Sequence, residues 1–311
     1  FLIKKRFQLI THLKYIKISQ NYVLKVTSIL LNLCINLFIM KNRTIFLSAL
    51  IAGLIFSCAK NPFTGKNTLA LVPNSEILPS AFQQYGQFLK DNKVISGTSD
   101  AKKVELIGVK IKNAAEKWLN ANGYQGYLKD YQWEYKLVDS KDVNAWCMPG
   151  GKIVVYTGIL PITKDDAGLA TVLGHEVSHA LANHGQQRMS AGLLQQLGAV
   201  GTAVAVGNKS EETQQLAMTA YGAATTLGGM LPFSRAHESE ADKIGLTLMA
   251  IAGYNPEEAI VFWQRMSANS GGNKPPEFMS THPSDETRIA NLKKLVPVAK
   301  AEALKFGVIF K

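Results

Sequence analysis

The chain has 311 residues, 47% hydrophobic and 18% charged, which is enough for a sizeable core and unlike a disordered polymer. Its formal charge of +11 is concentrated at one end: residues 1–57 hold eight Lys or Arg and no acid, and 26 basic residues face 23 acidic ones from Cys58 onward. A basic leader is a targeting feature, so a nucleic-acid partner is not expected.

Residues 1–39 begin with Phe1, are rich in Phe, Leu, Ile, Lys and Asn, and read as lying outside the native protein. Met40 opens an export signal over 40–57, with Lys41 and Arg43 ahead of an apolar run at 45–56. That run is too short for a bilayer core, which needs about 20 residues. It ends in Ile55-Phe56-Ser57-Cys58, which resembles the acylation signal of bacterial lipoproteins, although Phe56 is bulky for its place. An uncleaved anchor is the competing reading. Two or more acyl chains on Cys58 would tether the chain to a lipid bilayer, with residues 58–75 as anchor and tether. Cys147 would then have no disulfide partner within the mature chain.

Residues 76–311 read as a single α+β domain, mostly helical. Helical spacing covers 76–89 and 101–120, and the alternating segments 132–137 and 152–157 read as strands. Helix resumes at 165, with breaks expected at Gly185, Gly207-Asn208, Gly228-Gly229 and 253–256, and a loop over 271–283. The Ala, Gly and Leu-rich stretch 191–231 reads as a buried helical hairpin in preference to a membrane insertion, because 207–212 interrupts it with polar residues.

The chemistry centres on Gly174-His175-Glu176-Val177-Ser178-His179. Two His four apart share one helix face and can reach one zinc ion, and Glu176 is placed to take a proton from water instead of ligating. His184, nine residues after His175, falls on the opposite side at about 100° per residue, and is expected as a surface or hydrogen-bonding residue near the helix end. The third ligand is sought in 234–243. There Glu238, Ala241, Asp242, Gly245 and Met249 form one stripe, while Glu240 falls on the solvent side with Lys243. Glu238 is assigned to the metal, and Asp242 to accepting a hydrogen bond from a ligand His. Ordinary ion pairs of the two acids with Arg235 or Arg288 are the alternative.

This HExxH helix, followed about 60 residues later by Glu-x-x-x-Asp, resembles the gluzincin metallopeptidases of the family that includes HtpX, Oma-type proteases, the CAAX prenyl proteases and BepA. Val143-Asn144-Ala145 with 149–158 is similar to the family's strand beside the active site, and Ser280-Thr281-His282-Pro283 with Arg288 to its C-terminal signature. The resemblance spans 61–296 and is nearest to the short periplasmic lipoprotein branch. It implies one Zn2+ per chain on His175, His179 and Glu238, with Glu176 as catalytic base and a small sheet edge at the cleft. Asn144, Ala145, Val154 and Val155 would pair with an extended substrate. It further implies unfolded or misassembled envelope proteins as substrates, and a periplasm-facing site on the outer membrane. His282 either caps the zinc as a fourth ligand or switch, in a loop mobile upstream and anchored by Pro283 and Ser284, or it binds substrate near Arg288. Two other classes compete: a chaperone-like assembly factor with latent protease activity, and a structural zinc protein. The latter is disfavoured because such sites usually close with four ligands, often Cys.

Overall fold

The computed structural model describes residues 58–269, 277–282 and 286–310. Residues 1–57, where an export signal is expected, lie outside them, as do 270–276 and Pro283 and Ser284 of the expected His282 loop. Residues Ala59–Lys311 form one unit. The described residues open with a two-stranded sheet, β1 (Cys58–Lys60) and β2 (Asn67–Leu69). The expected tether is held against the domain: Gln186 Nε2 donates to Val72 O and Leu71 N to Ser190 Oγ.

Helices α1 (Asn74–Asp91) and α2 (Ser99–Ala121) flank β3 (Val94–Ile95). The Thr98 side chain accepts from Ala101 N and starts α2. Val104, Ile107, Ile111 and Ala115 then recur at three- and four-residue spacing and bury one face of it. Strands β4 (Glu134–Val138), β5 (Ala145–Met148) and β6 (Lys152–Tyr156) complete a mixed sheet of order β3-β4-β6-β5. Strand β6 runs parallel to β4 and antiparallel to β5. It is therefore paired on both sides, and Ile153, Val154 and Val155 are fully buried. The expectation that this strand pairs with substrate is overturned, since Val154 and Val155 have no free backbone edge. The edge strand next to β6 is β5, and β3 forms the other edge of the sheet.

A one-turn helix α3 (Leu160–Thr163) leads into α4 (Asp166–Leu181), where Asp165 caps the first turn by accepting from Gly168 N. Every residue of α4 from Gly168 to Leu181 is buried, the polar His175, Glu176, Ser178 and His179 included. Helix α4 ends at Leu181, four residues before the expected break. Asn183 adopts a left-handed φ of 55°, which Asn tolerates better than most residues. Helix α5 (His184–Val206) starts at the next residue, with Gly185 inside it.

Helices α5 and α6 (Glu211–Thr225) form the hairpin, turning at Gly207-Asn208 as expected. Tyr221 OH donates to Gln195 O, tying the two arms together. The hairpin is not buried: Leu194, Val200, Val204, Leu216 and Leu227 are exposed. Helix α5 is long and apolar enough to cross a membrane by length and composition. Gly228-Gly229 does not break the chain, which passes through one π-helical turn, Thr226–Met230, into α7 (Leu231–Ile251). Helices α8 (Glu258–Ala268), α9 (Glu277–Thr281) and α10 (Glu286–Leu304) follow.

Helices α4 and α7 cross at Gly174 and Gly245. A Cβ on Gly245 would lie 2.9 Å from Gly174 C, and one on Gly174 would lie 3.0 Å from Gly245 O. The two backbones touch because neither residue has a side chain at the crossing. That approach brings the His pair of α4 opposite the acids of α7.

Candidate metal centre

His175 and His179, one turn apart on α4, meet Glu238 of α7 and His282, the residue after α9. One ligand atom from each lies within 4.8 Å of all the others, and all four residues are buried. His175 Nε2 is 3.1 Å from His179 Nε2, 3.1 Å from His282 Nδ1 and 3.2 Å from Glu238 Oε2. His282 Nδ1 is 2.8 Å from Glu238 Oε2, and His179 Nε2 is 3.4 Å from Glu238 Oε1.

Lone-pair donors packed this closely repel unless a proton or a cation sits among them. Tetrahedral zinc with bonds of about 2.0–2.1 Å separates its ligand atoms by about 3.3 Å, close to the spacings here. The electrostatics point the same way. Burial works to lower the pKa of His175, but its hydrogen bonds to Asp242 and Glu238 outweigh burial and raise it to about 9. Burial would push Glu238 up, yet the bonds to His175 and His282 hold it well below the usual carboxylate range. The cluster calls for a positive charge beyond Arg288, and a divalent ion would supply it. His175, His179 and Glu238 are thus a fitting zinc-ligand group, with His282 Nδ1 at the fourth corner.

Asp242 Oδ1 lies 3.0 Å from His175 Nδ1 and accepts its proton, which leaves Nε2 free to ligate. Arg288 clamps both oxygens of Asp242, Nη2 at 2.6 Å and Nε at 2.8 Å, and its guanidinium lies 3.6 Å from the Trp263 ring centre. Arg288 also donates from Nη1 to His282 O at 3.3 Å. Asp242 therefore serves the ligand His and the ion pair together; the two sequence readings were not exclusive.

Glu176 is buried, and its Oε1 has no hydrogen-bond partner among the described residues; His282 Nε2 is 3.5 Å away. Burial raises its pKa above the ordinary carboxylate value. Asn144 lies just before β5, its Oδ1 accepting from Ala145 N at 2.9 Å. Tyr156 N donates to Asn144 O at 3.0 Å. By antiparallel alternation Asn144, Trp146 and Met148 turn their backbone groups to β6, and Ala145 and Cys147 turn theirs outward. Among the described residues no strand covers that outer side. Phe278 N of α9 donates to Val143 O at 3.0 Å, and Phe278 stacks on Trp263 at 5.6 Å. Cys147 is a free cysteine whose thiol burial pushes up, out of the reactive range.

Of the two forms expected for His184, the hydrogen-bonding one holds and the surface one does not: it is fully buried, with Nδ1 2.9 Å from His179 Nδ1. The expectation for Glu240 fails. Glu240 does not face solvent: its side chain is 9% exposed, with Oε2 2.8 Å from His184 Nε2. For His184 the angular argument assumed an unbroken helix, and the left-handed Asn183 turns it back toward the site. Asn183 itself was the available signal, as a residue suited to ending a helix.

The model of peptidase family M48 matches residues 111–296, more than half of the chain and every residue of the centre. The mitochondrial metalloendopeptidase OMA1 of Saccharomyces cerevisiae is 34% identical over 204 residues, 63% of this chain and 56% of the relative. That of Schizosaccharomyces pombe is 37% identical over 177 residues, 56% of this chain and 50% of the relative. The β-barrel assembly-enhancing protease of Escherichia coli is 29% identical over 164 residues, 50% of this chain and 33% of the relative. The chain thus spans about half or less of the length of these curated relatives. With the family match covering the ligand helices and the residues that support them, the chain belongs to peptidase family M48.

Proposed function

We propose that the chain is a zinc-dependent endopeptidase that cuts unfolded or misassembled proteins of the bacterial envelope. The observation that carries this reading is the buried carboxyl of Glu176, whose Oε1 has no hydrogen-bond partner among the described residues, beside four converging ligand atoms. His175, His179 and Glu238 would hold the zinc. When bound, the ion would supply Lewis acidity, polarising a peptide carbonyl and drawing the pKa of water toward about 7. Glu176, its proton affinity raised by burial, takes a proton from the attacking water and hands it to the departing amine. Asp242 and Arg288 keep the His175 ring in its ligating tautomer.

Substrate pairs through its backbone with the outer edge of β5, using Ala145 O and the N–H and C=O of Cys147. Such pairing reads an extended main chain more than side chains, which suits unfolded substrates. The name of the Escherichia coli relative, a β-barrel assembly-enhancing protease, supports envelope proteins as the class. Cys58 carries lipid and holds the enzyme on the periplasmic face of the outer membrane. The support is the apolar run 45–56 ending at Ser57-Cys58.

His282 occupies the corner that water or substrate must enter, which makes the enzyme latent. The Phe278 N to Val143 O bond ties its helix to the chain just ahead of β5, so withdrawal of His282 also frees that stretch of edge. This capped corner favours a second reading, an assembly factor that holds its clients and cleaves them seldom. One comparison separates the two: zinc content and casein cleavage for wild type and Glu176→Gln. The protease reading expects about one zinc in both and cleavage only in wild type. Equal cleavage by the variant removes Glu176 as base, and zinc-loaded wild type that never cleaves favours the assembly factor.

A further inference from the structure

We infer that His184 and Glu240 form a positioning relay for the metal ligand His179; the inference rests on the zinc reading above. His179 can offer Nε2 to a metal only if its proton sits on Nδ1. That proton points at His184 Nδ1, 2.9 Å away, which must then accept. The proton of His184 is therefore on Nε2, 2.8 Å from Glu240 Oε2. With both imidazoles neutral and Glu240 ionised, a single pattern of donors satisfies all three groups, and it is the pattern in which His179 ligates.

The relay is built into the interior. The His184 ring stacks on His237 with centres 4.0 Å apart and planes 12° apart. His237 Nε2 is 3.1 Å from Gln187 Oε1, while Gln187 Nε2 donates to Ala182 O at 2.7 Å, in the turn between α4 and α5. His184 cannot swing without displacing His237. The left-handed backbone at Asn183 (φ 55°) aims His184 inward, one residue after the turn.

The two histidine ligands are thus supported unequally. His175 leans directly on Asp242, itself clamped by Arg288, whereas His179 reaches its carboxylate through one additional imidazole. An ionised Glu240 at the far end pulls the shared protons toward itself, raising the basicity of His179 Nε2 and fixing its ring plane. Neither His184 nor Glu240 contacts the ligand position, so both act through His179.

The test measures zinc affinity by competition with a chromophoric chelator, the cobalt(II) absorption spectrum and the melting temperature of the metal-free protein. The variants are Glu240→Gln, His184→Gln and His184→Leu. Gln at 184 offers an acceptor and a donor on one side chain, whereas Leu offers neither. The relay expects zinc affinity to fall about 10- to 100-fold for Glu240→Gln and His184→Leu. It expects a smaller loss for His184→Gln, an altered cobalt spectrum and little change in metal-free melting for Glu240→Gln. A folded Glu240→Gln variant with wild-type zinc affinity and cobalt spectrum overturns the relay while leaving the zinc reading intact. Wild-type protein that takes up no zinc overturns the zinc reading, and the relay falls with it.

Discussion

Gly245→Ala tests whether the close approach of α4 and α7 holds the metal set together. The added Cβ would lie 2.9 Å from Gly174 C and 3.0 Å from both Gly174 O and His175 N, against 3.4–4 Å for ordinary contact. These are backbone atoms that cannot rotate aside, so the helices must part by about 0.5 Å. Overpacking of this kind costs about 1–3 kcal/mol, while exchanging Gly for Ala inside a helix returns about 1 kcal/mol. The net loss is about 0–2 kcal/mol, or about 0–8 °C of melting temperature at this domain size. Metal binding should suffer more than stability, because ligand distances tolerate only about 0.2 Å and the crossing separates His175 and His179 from Glu238. Gly192→Ala is the control: no atom lies within 4 Å of its added Cβ, so it gains helix propensity without a clash. Calorimetry and chelator competition on both variants decide the matter. Gly245→Ala melting at or above wild type with unchanged zinc affinity would refute the argument.

His282→Ala should raise proteolysis of unfolded casein while zinc is retained; a fall at constant zinc would place His282 in substrate binding instead. Mass spectrometry of the mature N-terminus should find an acylated Cys58, and an intact chain retaining Lys41 would remove the lipid anchor. Burial raises the pKa of Tyr127 from 10.0 to about 12, against a small opposing bond from Asn183, and burial also lifts Tyr131 and Tyr135 above 10. A raised folded pKa contributes stability that is whole below about pH 10 and is lost as pH climbs through the folded values. Alkaline unfolding should therefore begin between about pH 10 and 12, with tyrosinate absorbance rising together with loss of helix. Absorbance that reaches completion while the helices persist would contradict the burial of these phenols.

The parts of the site legible in the sequence are those whose geometry is local. His175, Glu176 and His179 lie within one unbroken helix, where residue spacing converts directly into direction. Glu238 and Asp242 could be read because a buried helical stripe containing two acids demands partners. His184 was misplaced because a helical angle has meaning only up to the end of its helix, and α4 ended at Leu181; Glu240, in mid-α7, was misplaced because its angle does not show that His184 packs against that side. Val154 and Val155 were misassigned for a related reason: alternation and β-branching identify a strand without naming its neighbours. The clue was the unbroken apolar run Ile153-Val154-Val155, the pattern of a strand covered on both faces. The edge strand β5 differs in exposure and not in polarity: Trp146, Cys147 and Met148 are all partly exposed.

The hairpin of α5 and α6 marks a different limit. Its Ala, Gly and Leu content reads as interior, because apolar side chains are usually paid for by burial, yet Val204 and Leu216 are 77% and 69% exposed. Composition reports what a surface would gain by being covered and says nothing of whether the same chain covers it. For His184 the missing information was a backbone angle at one residue, which Asn183 at least hinted at. For the hairpin the missing information is tertiary: Gly207-Asn208 sets the turn correctly, and the tie from Tyr221 to Gln195 pairs the arms, but both facts hold equally for a buried hairpin and an exposed one. Local rules therefore reach as far as the hairpin's own shape, and its exposure is set by what packs against it.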